Sequence, residues 1–419
     1  MFSTRTNWHR KPNRLTEAIE QHRKSGKELF DLASSNPTEC GIPYPEKEIL
    51  AAFSNQKTLH YQPDPHGLLS AREAVCEYYH AKNVDIDPPR IFLTASTSEA
   101  YANVFKLLCD AGDEVLVPRP SYPLFEYLAQ LNDVELGSYH LRYDGEWHID
   151  LDSVSKAIGK KTRAIALISP HNPTGMFLKK NEYEAIERIA EENNLALIVD
   201  EVFSEYGFEN QPRHPELVSG SINSEMPKPS TQTAGKQSAA GGRHDGLFSV
   251  SGRANVLTFT LNGISKMLGL PQMKLGWIAV SGPEKAVSEA VSRLEIICDT
   301  YLSVNTPVQV ALPPLMKSGA KTRERILDRV RNNYRTLRQT FSEGSACSVL
   351  HAEGGWNGII RVPRTMSDED RCLKLLNDSG VIIHPGYYYD FDEEGYLVVS
   401  LLGEEKIFGE GVKRVAKNI

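Results

Sequence analysis

The sequence predicts an α/β fold: a large domain with a mostly parallel seven-stranded sheet between helices, followed by a smaller α+β domain. Two observations predict it. From Ile49 to about residue 297, short continuous apolar runs alternate with amphipathic stretches, the pattern of strands covered by helices on both faces. After about Tyr301 the pattern becomes one long charged helix followed by four short strands. No internal repeat is present.

The elements follow in order. Residues 1–30 read as a polar arm and a helix with Leu15, Ala18, Ile19 and His22 on one face. Residues 31–45, rich in Pro, Ser and Asn, read as a loop. Strands are expected at 91–94, 114–117, 134–139, 164–168, 196–199, 256–260 and 277–280. Helical patterns lie between them at 99–108, 124–131, 151–158, 180–191 and 284–297. A helix over 323–341 and strands near 347–352, 356–362, 381–383 and 396–401 complete the chain. This divides it into an N-terminal arm with part of the small domain (1–50), a large domain (51–297) and a C-terminal small domain (298–419). Residues 210–246 are rich in Ser, Gly, Pro, Gln and Lys and poor in large apolar side chains. Such a stretch buries too little surface to offset its ordering entropy, so it reads as a flexible surface insertion.

Composition excludes several classes. The 419 residues carry a formal charge of −7, with 40% hydrophobic and 24% charged residues, an ordinary globular balance. A chain of this size buries roughly three quarters of its unfolded surface, enough for one large core or two linked ones. The mild negative charge argues against nucleic acid as a partner. No apolar run reaches the ~18 residues of a membrane span, and the polar start lacks the apolar stretch of a signal peptide. Six scattered cysteines without C-x-x-C suit a reducing cytoplasm and give neither a metal site nor a disulfide framework.

Five stretches carry chemistry, and each directly follows a predicted strand. In the first, Ser265-Lys266-Met267-Leu268-Gly269, a lysine sits just past a strand end, where α/β sheets present ligands. Lysine forms a Schiff base once desolvation or a nearby cation lowers its pKa, and Lys274 lies eight residues on. Taken alone, both also read as turn-capping surface lysines. Asp200 ends an apolar strand; it reads as the partner of a buried cation, such as a protonated pyridine nitrogen, or as a helix N-cap. Ser169-Pro170-His171-Asn172-Pro173-Thr174-Gly175 is a rigid turn that projects the Asn172 amide, and His171 reads as structural rather than as a base. Ser96, Thr97, Ser98 and Glu99 open a helix with a capping box; its N-terminus reads as a phosphate cradle or a plain cap. Tyr122 offers an aromatic plate or is an ordinary loop tyrosine. Together the five point to one sheet edge and supply the groups needed to hold pyridoxal phosphate and make it an electron sink. Neither a Walker loop nor G-x-G-x-x-G is present, so nucleotide binding lacks comparable support.

In this order the motifs resemble those of the class I/II aminotransferases, pyridoxal-phosphate enzymes of the aspartate aminotransferase fold type (fold type I). The resemblance runs from about Asp31 to the C-terminus. It implies that Lys266 is the Schiff-base lysine and proton shuttle, that Asp200 faces the pyridine nitrogen and that Asn172 donates to the ring hydroxyl oxygen. It further implies that Tyr122 stacks on the ring, that Ser96, Thr97 and Ser98 form the phosphate loop, that Ser265 binds the cofactor, and that Tyr61 reaches the phosphate of a second subunit in a homodimer. Asn36 resembles part of the loop over the substrate.

Four positions depart from the family pattern. Lys274 stands for an arginine, replacing a bidentate fork by a point charge. Phe203 stands for a tyrosine, removing a donor to the ring oxygen. Gly263 stands for a serine, removing a phosphate contact. Val398 stands where the arginine that clamps the substrate carboxylate is expected; Arg361 resembles a structural strand residue instead. The implied activity is a cytoplasmic, homodimeric aminotransferase that moves an amino group from an amino acid to a 2-oxo acid. A carbon–sulfur β-lyase on the same fold is the alternative, which the missing arginine keeps open. A non-catalytic cofactor-binding sensor comes third.

Overall fold

The computed structural model describes residues 1–8, 10–208, 255–342 and 344–419, so the expected insertion at 210–246 lies outside the described residues. Its strands are β1 (Phe30–Asp31), β2 (Ile91–Thr94), β3 (Glu114–Arg119), β4 (Glu135–Tyr143), β5 (Trp147–Ile149), β6 (Thr162–Ile168), β7 (Ala196–Asp200), β8 (Thr258–Gly263), β9 (Gly276–Ser281), β10 (Ser348–Val349), β11 (Asn357–Arg361), β12 (Val381–Ile382), β13 (His384–Pro385) and β14 (Tyr396–Ser400).

The large sheet has eight strands, not the expected seven, in the order β2-β9-β8-β7-β6-β3-β4-β5. All seven expected strands are in it. The eighth is β5, which turns back antiparallel on β4 after Gly145, whose φ is 122°. Three residues are too few to show an alternation in sequence, so the period gave no signal for it. The neighbours from β4 through β3, β6, β7 and β8 pair in parallel, whereas β9 runs antiparallel to both β8 and β2.

Helices cover both faces because successive residues of the central strands point to opposite cores. Ala164, Ala166 and Ile168 of β6, with Ala196 and Ile198 of β7, join one buried cluster with Phe105, Phe259 and Leu294. Ile165, Leu167, Leu197 and Val199 join another with Tyr139, Tyr183 and Ile186. These strands therefore read as continuous apolar runs in the sequence.

The smaller domain is a four-stranded antiparallel sheet, β10-β11-β14-β13, backed by the helices Ala320–Thr340, Asp368–Ser379 and Glu405–Asn418. β1 pairs in parallel with β12, and Leu15, Phe30, Leu32 and Ile42 are buried in this domain's core, which ties the arm to it. The border expected at 297/298 falls within the continuous helix Glu284–Tyr301. The next helix, Thr306–Ser318, buries Val308, Ala311, Leu312 and Leu315 against Ile91, Leu93 and Trp277 of the large sheet.

Candidate active site

β2, β3, β6, β7 and β8 all end at one edge of the large sheet, and β9 begins there, with Gly276 paired to Gly263. Ser96, Tyr122, Asn172, Asp200 and Lys266 stand in, or just after, the ends of those five strands, so residues up to 170 positions apart share an edge.

Lys266 lies in a single turn of helix, Ile264–Met267, that starts at Gly263. The Tyr206 hydroxyl donates to its carbonyl oxygen at 2.6 Å, anchoring the backbone from the segment after β7. Nζ lies 5.0 Å from the ring centre of Trp356 and 5.8 Å from that of Phe203. Burial pushes the Lys266 pKa down; Asp200 opposes this and Lys274 adds to it. A lysine so placed is a neutral amine more readily than an ordinary one, as a nucleophile must be.

Asp200 ends β7 and accepts from the Val202 amide (3.0 Å) and the Tyr101 hydroxyl (3.1 Å). Burial nonetheless pushes its pKa up to about 6, against those donors and the charge of Lys266. This is a desolvated carboxylate whose ionised form would be favoured by a further cation.

Ser96 is the N-cap of the helix Thr97–Leu108, its Oγ accepting from the Glu99 amide at 3.1 Å. The box closes one residue early: Glu99 accepts from the Ala95 amide at 2.6 Å, not from that of Ser96. The Ser96 oxygen thus serves the cap, and the helix start offers an anion its first amides and the hydroxyls of half-buried Thr97 and Ser98. Gly276 fixes the distance between this loop and β9, since a Cβ there would meet Asn262 O at 3.0 Å and Thr94 Oγ1 and Ser96 C at 3.3 Å. Lys274, two residues before, is exposed and left-handed (φ 53°), and Ser265 is half-buried beside Lys266.

The departure at Gly263 has a steric reason. A Cβ there would lie 2.9 Å from Gly276 Cα and 3.0 Å from Leu275 O, so a serine does not fit this strand pair. Phe203 is buried edge-on against Trp356 at 5.3 Å. His171 is buried, with Nδ1 3.0 Å from Thr174 Oγ1 and a pKa lowered to about 3 by burial, which suits its structural reading.

Asn172 faces the small domain, where the Asn357 amide Nδ2 donates to its Oδ1 at 2.6 Å. Trp356, Asn357 and Tyr101 are site residues that sequence reasoning missed. The available signal was G-G-W-N-G at 354–358: a Cβ on Gly175 would lie 2.5 Å from Gly354 O, so glycines let the two domains meet there. Val398 is buried in an apolar core, as is Leu397, and Arg361 is exposed at the end of β11. Neither Val398 nor Leu397 brings a cation to the site.

Of the other expected residues, two are exposed and one closes its own turn. Tyr122 is 46% exposed, near Tyr389 of the small domain. Tyr61 is 79% exposed and lines a cleft with Glu99, Asn103 and Ser303, beside the start of the cap helix. Asn36 closes its own turn, its Oδ1 accepting from the Thr38 amide and hydroxyl at 3.1 and 2.7 Å. No helix among the described residues is long and apolar enough to cross a membrane, and none of their His, Cys, Asp and Glu side chains form a metal-ligating group of three.

A lysine and an aspartate thus stand together at the strand ends of an α/β sheet, and the family model for aminotransferase class I and II matches residues 27–408. The chain belongs to that family. Among its curated relatives are the glutamate-pyruvate aminotransferases AlaA of Escherichia coli K12, 27% identical over 69% of this chain and 64% of that protein, and of Haemophilus influenzae, 26% identical over 94% and 91%. The match thus spans a little under two thirds of the E. coli protein's length. An LL-diaminopimelate aminotransferase of Natranaerobius thermophilus is 25% identical over 92% of this chain and 91% of that protein. The alanine aminotransferase of Pyrococcus furiosus shares the fold with a TM-score of 0.83 at 23% identity, covering 100% of this chain and 99% of its own.

The family uses pyridoxal phosphate, and the residues fit it on chemical grounds. Asp200 is a desolvated carboxylate that could face a protonated ring nitrogen, Lys266 is an amine of lowered pKa, and the helix start at Thr97 offers free amides that a phosphate could take.

Proposed function

We propose that this protein is a pyridoxal-phosphate-dependent aminotransferase that moves an amino group from an amino acid to a 2-oxo acid. The single observation that carries the reading is the convergence of Lys266 and Asp200 at the sheet edge beside the helix start at Thr97. The aminotransferase names of the relatives support it.

In this reading the amides and hydroxyls of Thr97 and Ser98, with Ser265 and Lys274, hold the phosphate. Asp200 keeps the ring nitrogen protonated, with Tyr101 fixing the carboxylate. Asn172 would donate to the ring oxygen, and Tyr122 would offer its ring as a stacking plate. The bound group supplies an electron sink for the bonds at the substrate α-carbon. The Lys266 amine would hold the group, and its Nζ, when free, would serve as the general base for the proton on the substrate α-carbon. Trp356 and Phe203 exclude water from Nζ. Tyr61, exposed in the single chain, completes the site of a second copy in a homodimer; sedimentation as one chain would remove that element. All six cysteines are unpaired, which supports a cytoplasmic location.

Lys266→Ala is expected to abolish the visible band of the lysine-bound cofactor and to reduce turnover at least about a thousandfold, as losses of a covalent catalytic group do. A variant with the native band and full turnover refutes the assignment. A panel of amino donors then reads the reaction. Bleaching of the band that a 2-oxo acid restores marks transamination, whereas pyruvate and ammonia released without an oxo acid mark a β-lyase.

A further inference from the structure

We propose that Asn357 is a positioning residue that turns the Asn172 amide so that its NH2 faces the cofactor ring oxygen. The inference rests on the function proposed above and extends it to the small domain. Asn357 begins β11, next to Trp356, whose ring lies 5.0 Å from Lys266 Nζ, so this end of the strand is at the reacting centre. Its Nδ2 donates to Asn172 Oδ1 at 2.6 Å, and Asn357 is only 7% exposed.

The direction of that bond follows from the chemistry. A side-chain amide presents an acceptor on one side and donors on the other. The ring oxygen of the cofactor is a phenolate and needs a donor. Asn172 therefore places Oδ1 away from the ring, and a donor there holds it so. With Phe203 in place of a tyrosine, no phenol stands at that position to donate to the ring oxygen. The electronic state of the cofactor then depends on the orientation of one amide more than it does where two donors share the oxygen. A purely structural reading is that Asn357 merely satisfies its own buried amide. The two readings differ in whether the cofactor senses Asn357, and whether it does so through Asn172.

The test is a double-mutant cycle read in the pH titration of the visible band of the lysine-bound cofactor. The proteins are the holoenzyme, Asn172→Ala, Asn357→Leu and the double variant. Asp200, Lys266, Lys274 and Tyr101 remain in all four, so their fields cancel. Losing a donor to the phenolate raises the pH midpoint. A bond to a charged acceptor is worth enough to move it by about 1 pH unit. Asn357→Leu is expected to raise the midpoint about as much as Asn172→Ala, and the double variant no further. An unmoved midpoint in Asn357→Leu, with a raised one in Asn172→Ala, overturns the inference alone; so do additive shifts. An unmoved midpoint in Asn172→Ala overturns the Asn172 assignment and the inference with it. If Asn357→Leu fails to fold, the isosteric Asn357→Asp replaces it. The effect of its charge is then measured in the Asn172→Ala background and subtracted, with the same outcomes.

Discussion

Asp200 shows what the site stores at the scale of one residue. Its pKa rises from the ordinary 3.8 to about 6 because burial outweighs its donors. Without cofactor, the folded protein therefore binds the proton more tightly than the unfolded chain does. The sign follows: apo-protein stability falls as pH rises between about 4 and 6 and is flat above. The loss is up to about 3 kcal/mol at 1.36 kcal/mol per pH unit. Asp200→Asn is expected to remove that slope and to melt higher than the wild-type apo-protein at pH 7, yet to bind pyridoxal phosphate more weakly. Thermal melts from pH 4 to 8, with and without cofactor, check both halves. A lower apo melting temperature for the variant at pH 7 would contradict the account. Lys266 and Asp200 were legible in the sequence because each directly follows an apolar run. Tyr101 was not, since nothing in a helix sequence says which buried hydroxyl meets a distant carboxylate.

At the scale of elements, the β8–β9 pair fixes where Lys266 stands. Gly263 and Gly276 face each other, and the Thr94–Ser96 loop closes on Gly276. Gly263→Ser restores the residue the family pattern favours, but its Cβ meets backbone at 2.9–3.0 Å, not the movable end of a side chain. The variant is expected to lose about 1–3 kcal/mol, the usual cost of overpacking, and to bind cofactor no better than the wild type. Denaturant midpoints and a cofactor titration measure both. Equal stability with tighter binding would show that the strands shift freely. The sequence marked this pair as strands but not as antiparallel neighbours. Direction depends on the connection, and the residues between them look like a loop whichever way β9 returns. β5 escaped notice because three residues carry no readable period.

Across the whole molecule, a partly buried ionic cluster ties the two domains together beside the site. Glu205, after β7, pairs with Lys82 at 2.5 Å and with Arg323 of the small-domain helix Ala320–Thr340 at 3.1 Å, and it accepts from the Tyr78 hydroxyl at 2.8 Å. Burial disfavours the carboxylate, but the two cations and the hydroxyl outweigh it and hold its pKa down to about 2. This stability is complete above the ordinary carboxyl value of 4.5 and is lost as pH falls toward 2. Glu205→Gln leaves Lys82 and Arg323 facing each other without a counter-charge and is expected to cost about 3 kcal/mol at pH 7. The cost should shrink on acidification toward pH 3. Chemical denaturation at pH 7 and pH 3 checks it; an equal loss at both pH values would assign the effect to packing instead.

The α/β pattern, the strand ends and the lysine, aspartate, amide and helix start that follow them were all readable from the residues alone. Those are local facts, written in apolar runs of a few residues and the polar residues next to them. Packing in three dimensions brought in what lies far along the chain: Asn357 and Trp356 at the site from the small domain, and Tyr101 against Asp200. Side-chain contact across hundreds of residues depends on how two domains pack, and packing leaves no period in a one-dimensional string.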